Sequence, residues 1–267
     1  MITVPAGITD LLLIGKEGQA KVTMKGLSVP ERTLNKLTFQ DLEIEGTDAK
    51  TAICAAELKE NAELTVKGCY IHGVKAVYGR GKDLAETNST DFSRLSSFTI
   101  DDSRIYNVEC VFDYGVVLAV TLNNSTLYNL SQIAFFSSKS NDTKDIKQCE
   151  PIKVTNCTLV DLKKNLVQTA GGYGYLTNYE NNISILAGDA HIAYGVKGTN
   201  NSAYTFVIQN NIAATGSGIK IADFTNNGAI DDTKSRAEIF PNEDAGDGGK
   251  NFTPADGITI GDPRWKK

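Results

Sequence analysis

The sequence predicts an all-β fold, a right-handed parallel β-helix in which each turn of single strands stacks on the turn before it. Two observations carry this prediction. A ten-residue phrase recurs along the chain, and an Asn, Asp or Gly stands at its fifth place, at intervals of 22 to 34 residues. A loose period of this size is typical of solenoids and repeat arrays.

The repeated phrase predicts two short strands joined by a corner. It alternates apolar and polar residues, which is the period of a strand that has one face inward. The fifth place marks the corner, because Asn, Asp and Gly adopt a left-handed backbone at least cost. The copies lie at 37–46, 64–73, 98–107, 120–129 and 152–161, with weaker copies at 177–184 and 206–215.

We expect about seven to nine turns of solenoid from this spacing. The predicted corners are Asp41, Gly68, Asp102, Asn124, Asn156, Asn181 and Asn210. The residues expected in the core are Phe39, Ile44, Val66, Ile71, Ile100, Ile105, Leu122, Leu127, Val154 and Leu159. The alternative is an antiparallel sandwich, which also has short strands at regular spacing. Asn at the same step of every unit favours the solenoid, where stacked amides hydrogen-bond from turn to turn.

The whole chain, 1–267, is predicted to be one domain, in which residues 1–29 form the opening turn. Polar stretches at 79–97, 137–150 and 225–250 are interpreted as loops. Residues 252–267 are predicted to cap the C-terminal end, because the last turn of a solenoid leaves apolar surface and strand edges uncovered. Trp265, the only tryptophan, is expected to pack on the last turns.

Composition narrows the range of partners. The formal net charge of −5 argues against nucleic acid as the main partner. No apolar run is long enough to span a membrane, and residues 1–7 are typical of a strand and a turn, not of a signal peptide. We therefore expect the chain to be a fragment of a longer protein and to be a monomer.

Cysteines and acidic residues give no strong sign of a bound metal. The five cysteines are predicted to be free thiols, with Cys110–Cys149 the only pair considered. No two cysteines are close enough in sequence for a zinc site. The acidic run 243–247 is interpreted as a solvated turn, with a Ca²⁺ site as the alternative. No cofactor is expected.

Three stretches resemble one known family. They are Pro-Ala-Gly at 5–7 with Leu-Leu-Leu-Ile-Gly at 11–15, the repeats themselves, and Gly-Asp-Pro-Arg-Trp at 261–265. Together they resemble the pectate-lyase-like, right-handed β-helix domain of Bacteroidetes surface lipoproteins that are associated with polysaccharide utilisation. The resemblance covers nearly the whole chain. It implies an extracellular or cell-surface-anchored protein that faces glycans, with the signal and anchor outside this chain.

Known catalytic motifs of such β-helices are missing. Polygalacturonase-type enzymes use Asp pairs with Gly-His-Gly and Arg-Ile-Lys, but neither His72 nor His191 has a glycine on both sides, and Arg104 is followed by Ile and Tyr. The Arg-x-Pro-x-x-Arg motif of pectate lyases is also missing. Active sites of solenoids are assembled from several turns, so a different catalytic arrangement stays open.

The candidate site is a strip of outward side chains on the strand after the corner. The ninth place of the phrase holds His72, Tyr106 and Tyr128, and the seventh holds Tyr70 and Arg104. Strands of successive turns lie about 4.8 Å apart, so these side chains are predicted to stack in rows. The predicted glycan-binding residues are therefore Tyr70, His72, Arg104, Tyr106 and Tyr128. The alternative is packing of these aromatic side chains beneath a covering loop.

Three functions follow from the sequence as hypotheses. The first is a glycan-binding or surface-display module that contacts a polysaccharide or oligosaccharide without catalysis. The second is a polysaccharide lyase or glycoside hydrolase that acts on acidic plant glycans. The third is a structural stalk or adhesion module.

Overall fold

The protein is a parallel β-helix, as the repeats predict. The structure, a computed structural model, describes residues 2–16, 22–24, 27–28, 34–46, 52–54, 58, 62–79, 94–113, 116–137, 151–169, 175–194, 207–221, 225–244 and 250–266. Every strand pairing in this part of the chain is parallel. An antiparallel sandwich is thereby excluded.

The described residues form 25 strands and one short helix. In chain order the strands are β1 (Ile2–Thr3), β2 (Asp10–Ile14), β3 (Val22–Met24), β4 (Leu27–Ser28), β5 (Lys36–Gln40), β6 (Glu43–Gly46), β7 (Ala62–Lys67), β8 (Tyr70–His72), β9 (Tyr78–Gly79), β10 (Arg94–Asp101), β11 (Arg104–Val108), β12 (Phe112–Asp113), β13 (Val116–Asn123), β14 (Thr126–Leu130), β15 (Phe135–Ser137), β16 (Pro151–Thr155), β17 (Thr158–Leu162), β18 (Val167–Thr169), β19 (Tyr175–Glu180), β20 (Ile183–Leu186), β21 (His191–Tyr194), β22 (Val207–Gln209), β23 (Asn211–Ala214), β24 (Lys220–Ile221) and β25 (Ile230–Lys234). The helix α1 spans Arg236–Ile239, and a 3-10 turn spans Pro263–Trp265.

These strands form three faces of a solenoid. The first sheet runs β2-β5-β7-β10-β13-β16-β19-β22, and the second runs β3-β6-β8-β11-β14-β17-β20-β23-β25. The third sheet runs β9-β12-β15-β18-β21-β24, while β1 and β4 form a separate pair. The six turns from β7 to β24 each contribute one strand to each sheet, whereas β2, β3, β5, β6 and β25 belong to the first two sheets only. Residues at the same place of the repeated phrase therefore lie side by side in neighbouring turns.

The corners between the first and second sheets lie where they were predicted. Asp41, Gly68, Asp102, Asn124, Asn156, Asn181 and Asn210 all have φ between 46° and 62°. Amides at these corners bond from turn to turn: Asn156 Nδ2 donates to Asn124 Oδ1 at 3.3 Å, and Asn210 Nδ2 donates to Asn181 Oδ1 at 2.5 Å. Both the corners and the amide ladder are thus confirmed.

The core fills the space between the three sheets. All ten residues that were predicted to be inside are at most 1% exposed. A column of small side chains follows the corner and is also buried; it contains Cys69, Ser103, Ser125, Cys157, Asn182 and Asn211. Cys69, Cys110 and Cys157 are free, buried thiols, and Cys54 is buried as well, whereas Cys149 lies outside the described residues. Burial raises the pKa of the Cys69 thiol to about 11 and that of Cys110 to about 12, so both stay neutral.

Some predicted loops are shorter than expected. Strand β10 already begins at Arg94, and 225–250 contains β25 and α1. Ser235 is the N-cap of this helix: its hydroxyl accepts from the Glu238 amide while the Glu238 carboxylate accepts from the Ser235 amide. This is a capping box, which stabilises the first turn of a helix. The remaining parts of the predicted loops at 80–93 and 138–150 lie outside the described residues.

We predict that Asn182→Ala destabilises the fold by about 3 kcal/mol, because buried groups left without partners cost roughly 1–3 kcal/mol each. The Asn182 amide accepts from the Cys157 N–H at 2.9 Å and donates to the Val154 carbonyl at 3.0 Å. Urea unfolding measures the change. The exposed Lys153→Ala is the control and should change stability by less than about 0.5 kcal/mol. Equal stability of the two variants would show that the buried hydrogen bonds of the Asn182 amide contribute nothing to the free energy of unfolding.

Candidate functional site: an aromatic strip bordered by the C-terminal segment

The predicted aromatic strip is present on the outer face of the second sheet. Tyr106 pairs with His72 on one side and with Tyr128 on the other. The His72 and Tyr106 rings stack with centroids 4.8 Å apart, and the Tyr106 and Tyr128 rings stack at 4.7 Å with planes 4° apart. These distances match the spacing of neighbouring strands, so the rings follow the backbone register directly.

Arg104 lies beside this strip, between two aromatic rings. Its Cζ atom is 5.2 Å from the ring centroid of Tyr70, the neighbour in the preceding turn, and 4.1 Å from that of Trp265. Cation–π attraction of this kind contributes about 0.5–2 kcal/mol. The structure therefore brings all five predicted residues together and adds Trp265, which was not predicted at this place.

The C-terminal segment, residues 250–266, covers the later turns of the second sheet. Phe252 meets the Tyr128 ring edge-on, with centroids 5.3 Å apart. A second hydrophobic cluster forms here, outside the solenoid; its buried members are Val160, Ile183, Ala214, Ile239, Phe240, Phe252 and Ile260. Burial raises the pKa of Tyr128 to about 12. Tyr128 thus serves packing at the covered end of the strip.

Asp262 holds the C-terminal segment to the sheet. Its carboxylate is fully buried and accepts a hydrogen bond from the Thr126 hydroxyl at 2.5 Å. Its backbone N–H donates to the Thr158 hydroxyl at 3.0 Å. Arg264 forms a salt bridge with the same carboxylate, so the buried charge has a partner.

Arg264 and Trp265 extend this attachment to an earlier turn. The Arg264 guanidinium donates to the backbone carbonyls of Asp102 and Ser103, at 3.1 and 2.6 Å. The indole N–H of Trp265 donates to the Thr126 hydroxyl at 2.8 Å. These contacts lie on the side of the solenoid, in turns that have further turns on both sides. The segment 252–267, which was predicted to cap the C-terminal end, is thus attached through Asp262 to the outer face of the second sheet.

A cluster of ionic groups ties helix α1 to the same sheet. The Arg236 guanidinium donates to both carboxylate oxygens of Asp161, at 2.7 and 2.8 Å, and also to Glu243. This hydrogen-bonded partner holds the pKa of Asp161 below its usual range. Glu243 and Asp244, the described residues of the alternative Ca²⁺ site, both lie within salt-bridge distance of Lys250. The described ranges contain no cluster of His, Cys, Asp and Glu suited to a metal ion, and Asp247 lies outside them.

The opposite end of the strip is open. Tyr70 is 38% exposed, and Glu43 stands next to it in the preceding turn. His72 Nε2 lies 3.7 Å from Glu43 Oε1, too far for a hydrogen bond. This His72 nitrogen and Nε of Arg104 are buried, and neither has a hydrogen-bond partner within the described part of the chain. An exposed ring, a carboxylate and a guanidinium therefore meet at the open end.

Comparisons with protein-family models, with curated proteins and with solved structures find no match to this chain. No helix among the described residues is long and apolar enough to cross a lipid bilayer.

We predict that Asp262→Ala releases the C-terminal segment and costs about 3 kcal/mol, because it removes the buried carboxylate that pairs with Arg264 and accepts from the Thr126 hydroxyl. Fluorescence reports the change specifically, since Trp265 is the only tryptophan of the chain. Its emission should shift to the red while the circular dichroism of the solenoid stays unchanged. Asp256→Ala, an exposed carboxylate of the same segment, is the control. Unchanged emission in Asp262→Ala would contradict this attachment.

The Asp161–Arg236 pair predicts a pH dependence. A carboxyl whose pKa is lower in the folded protein stabilises it above the unfolded pKa of about 3.9, and this contribution is lost as pH falls through the folded value. At neutral pH, Asp161→Asn should lower stability by about 1 kcal/mol, since both groups are partly exposed. The difference from the original protein should shrink as urea unfolding is repeated at increasingly acid pH. If the difference in stability between Asp161→Asn and the original protein does not change with pH, packing and not the ion pair causes the effect.

Proposed function

We propose that this chain is a non-catalytic glycan-binding module that holds a saccharide ring against Tyr70 at the open end of the aromatic strip. One observation carries the proposal. Tyr70 is a large outward aromatic side chain, 38% exposed, and it is fixed between Glu43 and Arg104 by the register of the parallel sheet. Sugar rings pack well on aromatic faces of this kind.

The surroundings of Tyr70 support binding without rearrangement. The Arg104 guanidinium packs near one side of the ring, and Trp265 in turn packs on Arg104. The stacked rings of His72 and Tyr106 lie next to them on the same sheet. A platform that is already ordered loses little conformational entropy when a ligand binds.

The charged groups decide which sugars fit best. The Glu43 carboxylate is partly exposed and can accept hydrogen bonds from sugar hydroxyls. The same carboxylate repels a uronate, and rings lie within cation–π distance of the Arg104 guanidinium on two sides. We therefore propose neutral saccharides as the preferred ligands and expect uronate-containing glycans to bind more weakly.

The cellular setting is part of the same proposal. The motifs at 5–15 and 261–265 resemble those of surface lipoproteins of polysaccharide-utilisation systems. We propose on this ground that the module acts outside the cell or on its surface, and that its partner is a polysaccharide or oligosaccharide.

A structural stalk or adhesion module is the second candidate. The covered end of the strip favours it, because Phe252 packs on Tyr128 and Trp265 packs on Arg104. Under this hypothesis the aromatic residues serve only to attach the C-terminal segment, and the exposed Tyr70 binds no ligand.

A glycan panel followed by titration of the best ligand separates these candidates. We predict that Tyr70→Ala weakens binding at least about tenfold, which corresponds to the loss of roughly 1.4 kcal/mol of stacking. Tyr194→Ala is the matched control, since Tyr194 is also an exposed tyrosine, 51% exposed, but lies on the third sheet. Its affinity should equal that of the original protein. Trp265 emission checks that Tyr70→Ala leaves the C-terminal segment in place.

Each other outcome contradicts the proposal in a different way. Absence of any bound glycan, or equal binding by both variants, would favour the stalk. New reducing ends or unsaturated products after incubation would make the protein an enzyme, and the acidic glycans expected for a lyase should then be the substrates.

A further inference from the structure

One pair of residues just before β25 combines a reactive side chain with an open backbone. Asn227 and Gly228 are the only Asn-Gly pair in the sequence. Both residues are exposed, and they lie in a bend of the chain. Gly228 has a φ of 85°, and among the described residues no heavy atom beyond its chain neighbours lies within 4 Å of the place where a Cβ atom would stand. The Gly228 nitrogen is therefore open to close approach, because no side chain stands beside it.

Neither the Asn227 side chain nor the Gly228 amide is held by a hydrogen bond. The Asn227 side chain has no hydrogen-bond partner in the described part of the chain, and the Gly228 N–H donates to none of these residues. The side chain is therefore free to turn toward the next backbone nitrogen. That nitrogen gives up no hydrogen bond within the described protein when it reacts.

Asn226, one residue earlier, is held in place. Its Nδ2 donates to the Ile230 carbonyl at 2.9 Å, and its Oδ1 accepts from the Ile230 N–H at 3.1 Å. Ile230 is 2% exposed and pairs with Asn211 of β23, so these two hydrogen bonds fasten the bend to the second sheet. Two neighbouring asparagines therefore differ in every respect that decides whether an amide side chain can react with the backbone.

We propose that Asn227 deamidates spontaneously in the folded protein. The Gly228 backbone nitrogen attacks Cγ of Asn227, and a bond forms between these two atoms. The bond from Cγ to Nδ2 breaks, and ammonia leaves with the proton that the Gly228 nitrogen gave up. Water then opens the cyclic imide at either of its two carbonyls. The product carries aspartate or isoaspartate in place of Asn227, and no oxidant or reductant takes part.

Asp256 and Gly257 have the same local geometry with a different side chain. Asp256 is exposed, Gly257 has a φ of 88°, and no described atom beyond its chain neighbours would contact a Cβ atom there. An ionised carboxylate reacts poorly with a nitrogen nucleophile, because its negative charge repels the attacking lone pair. The same ring closure at Asp256 should therefore be much slower than at Asn227.

Deamidation changes the charge of the protein and leaves the solenoid intact. It adds a negative charge to a chain whose formal net charge is −5. The isoaspartate form also lengthens the backbone between residues 227 and 228 by one carbon atom. Because the hydrogen bonds between Asn226 and Ile230 fasten the bend, we expect the fold to be retained. The modification does not depend on the proposed glycan site, which lies on earlier turns of the second sheet.

Incubation of the folded full chain in water enriched in heavy oxygen tests the proposal. The protein is kept at mildly alkaline pH, digested in ordinary water and analysed by tandem mass spectrometry. A labelled carboxyl group should replace the amide of Asn227, at a rate that rises with hydroxide concentration, while Asn226 keeps its amide. An unlabelled Asn227, or equal labelling of Asn226 and Asn227, overturns the proposal.

A substitution at the glycine tests the role of the open backbone. Gly228→Asp places a side chain beside the attacking nitrogen and should slow the labelling of Asn227 by about tenfold. Aspartate tolerates the left-handed backbone of this residue. Gly257→Asp is the matched control, since it makes the same change at the other open glycine, and it should leave the rate at Asn227 unchanged. Circular dichroism checks that both variants fold. Equal rates in the two variants would overturn the proposal.

Discussion

The left-handed corner between the first and second sheets is the constraint on which the rest of this structure depends. Each corner is a single Asn, Asp or Gly with φ near 50°, a conformation that other residues adopt only at a cost of about 1–2 kcal/mol. Because the corner recurs at the same step, strands of successive turns stay in register although the loops between them vary in length. Every column of side chains, inside and outside, is a result of that register.

The outer columns of the second sheet show how the same register produces two different surfaces. Its earlier turns carry Glu43, Tyr70 and Arg104, which stay partly exposed. Its later turns carry Thr126, Thr158 and Val160, which are buried. The C-terminal segment covers the second group and ends at Arg104, where Trp265 packs on the guanidinium. The candidate site therefore lies at the border between packed and open surface.

The corners, the core and the strip were predictable because they depend on local signals. Period-two alternation shows which side chains face inward, and Asn or Asp at one step shows where the backbone turns. The place of the C-terminal segment was not predictable in this way, since Thr126 and Asp262 are 136 residues apart in sequence. Two hints were nevertheless present. Val160 is an aliphatic residue at the ninth, outward place of the repeated phrase, where earlier turns have residues with polar groups. Ser235 and Glu238 have the spacing of a capping box within a stretch that was interpreted as a loop.

A crystal structure of the protein with a bound neutral oligosaccharide tests the central claim most directly. The account predicts a sugar ring parallel to the Tyr70 ring, with a hydroxyl at hydrogen-bond distance from the Glu43 carboxylate and Trp265 still packed on Arg104. A ligand bound on another face, or one that displaces Trp265 and occupies the covered end of the strip, would contradict it.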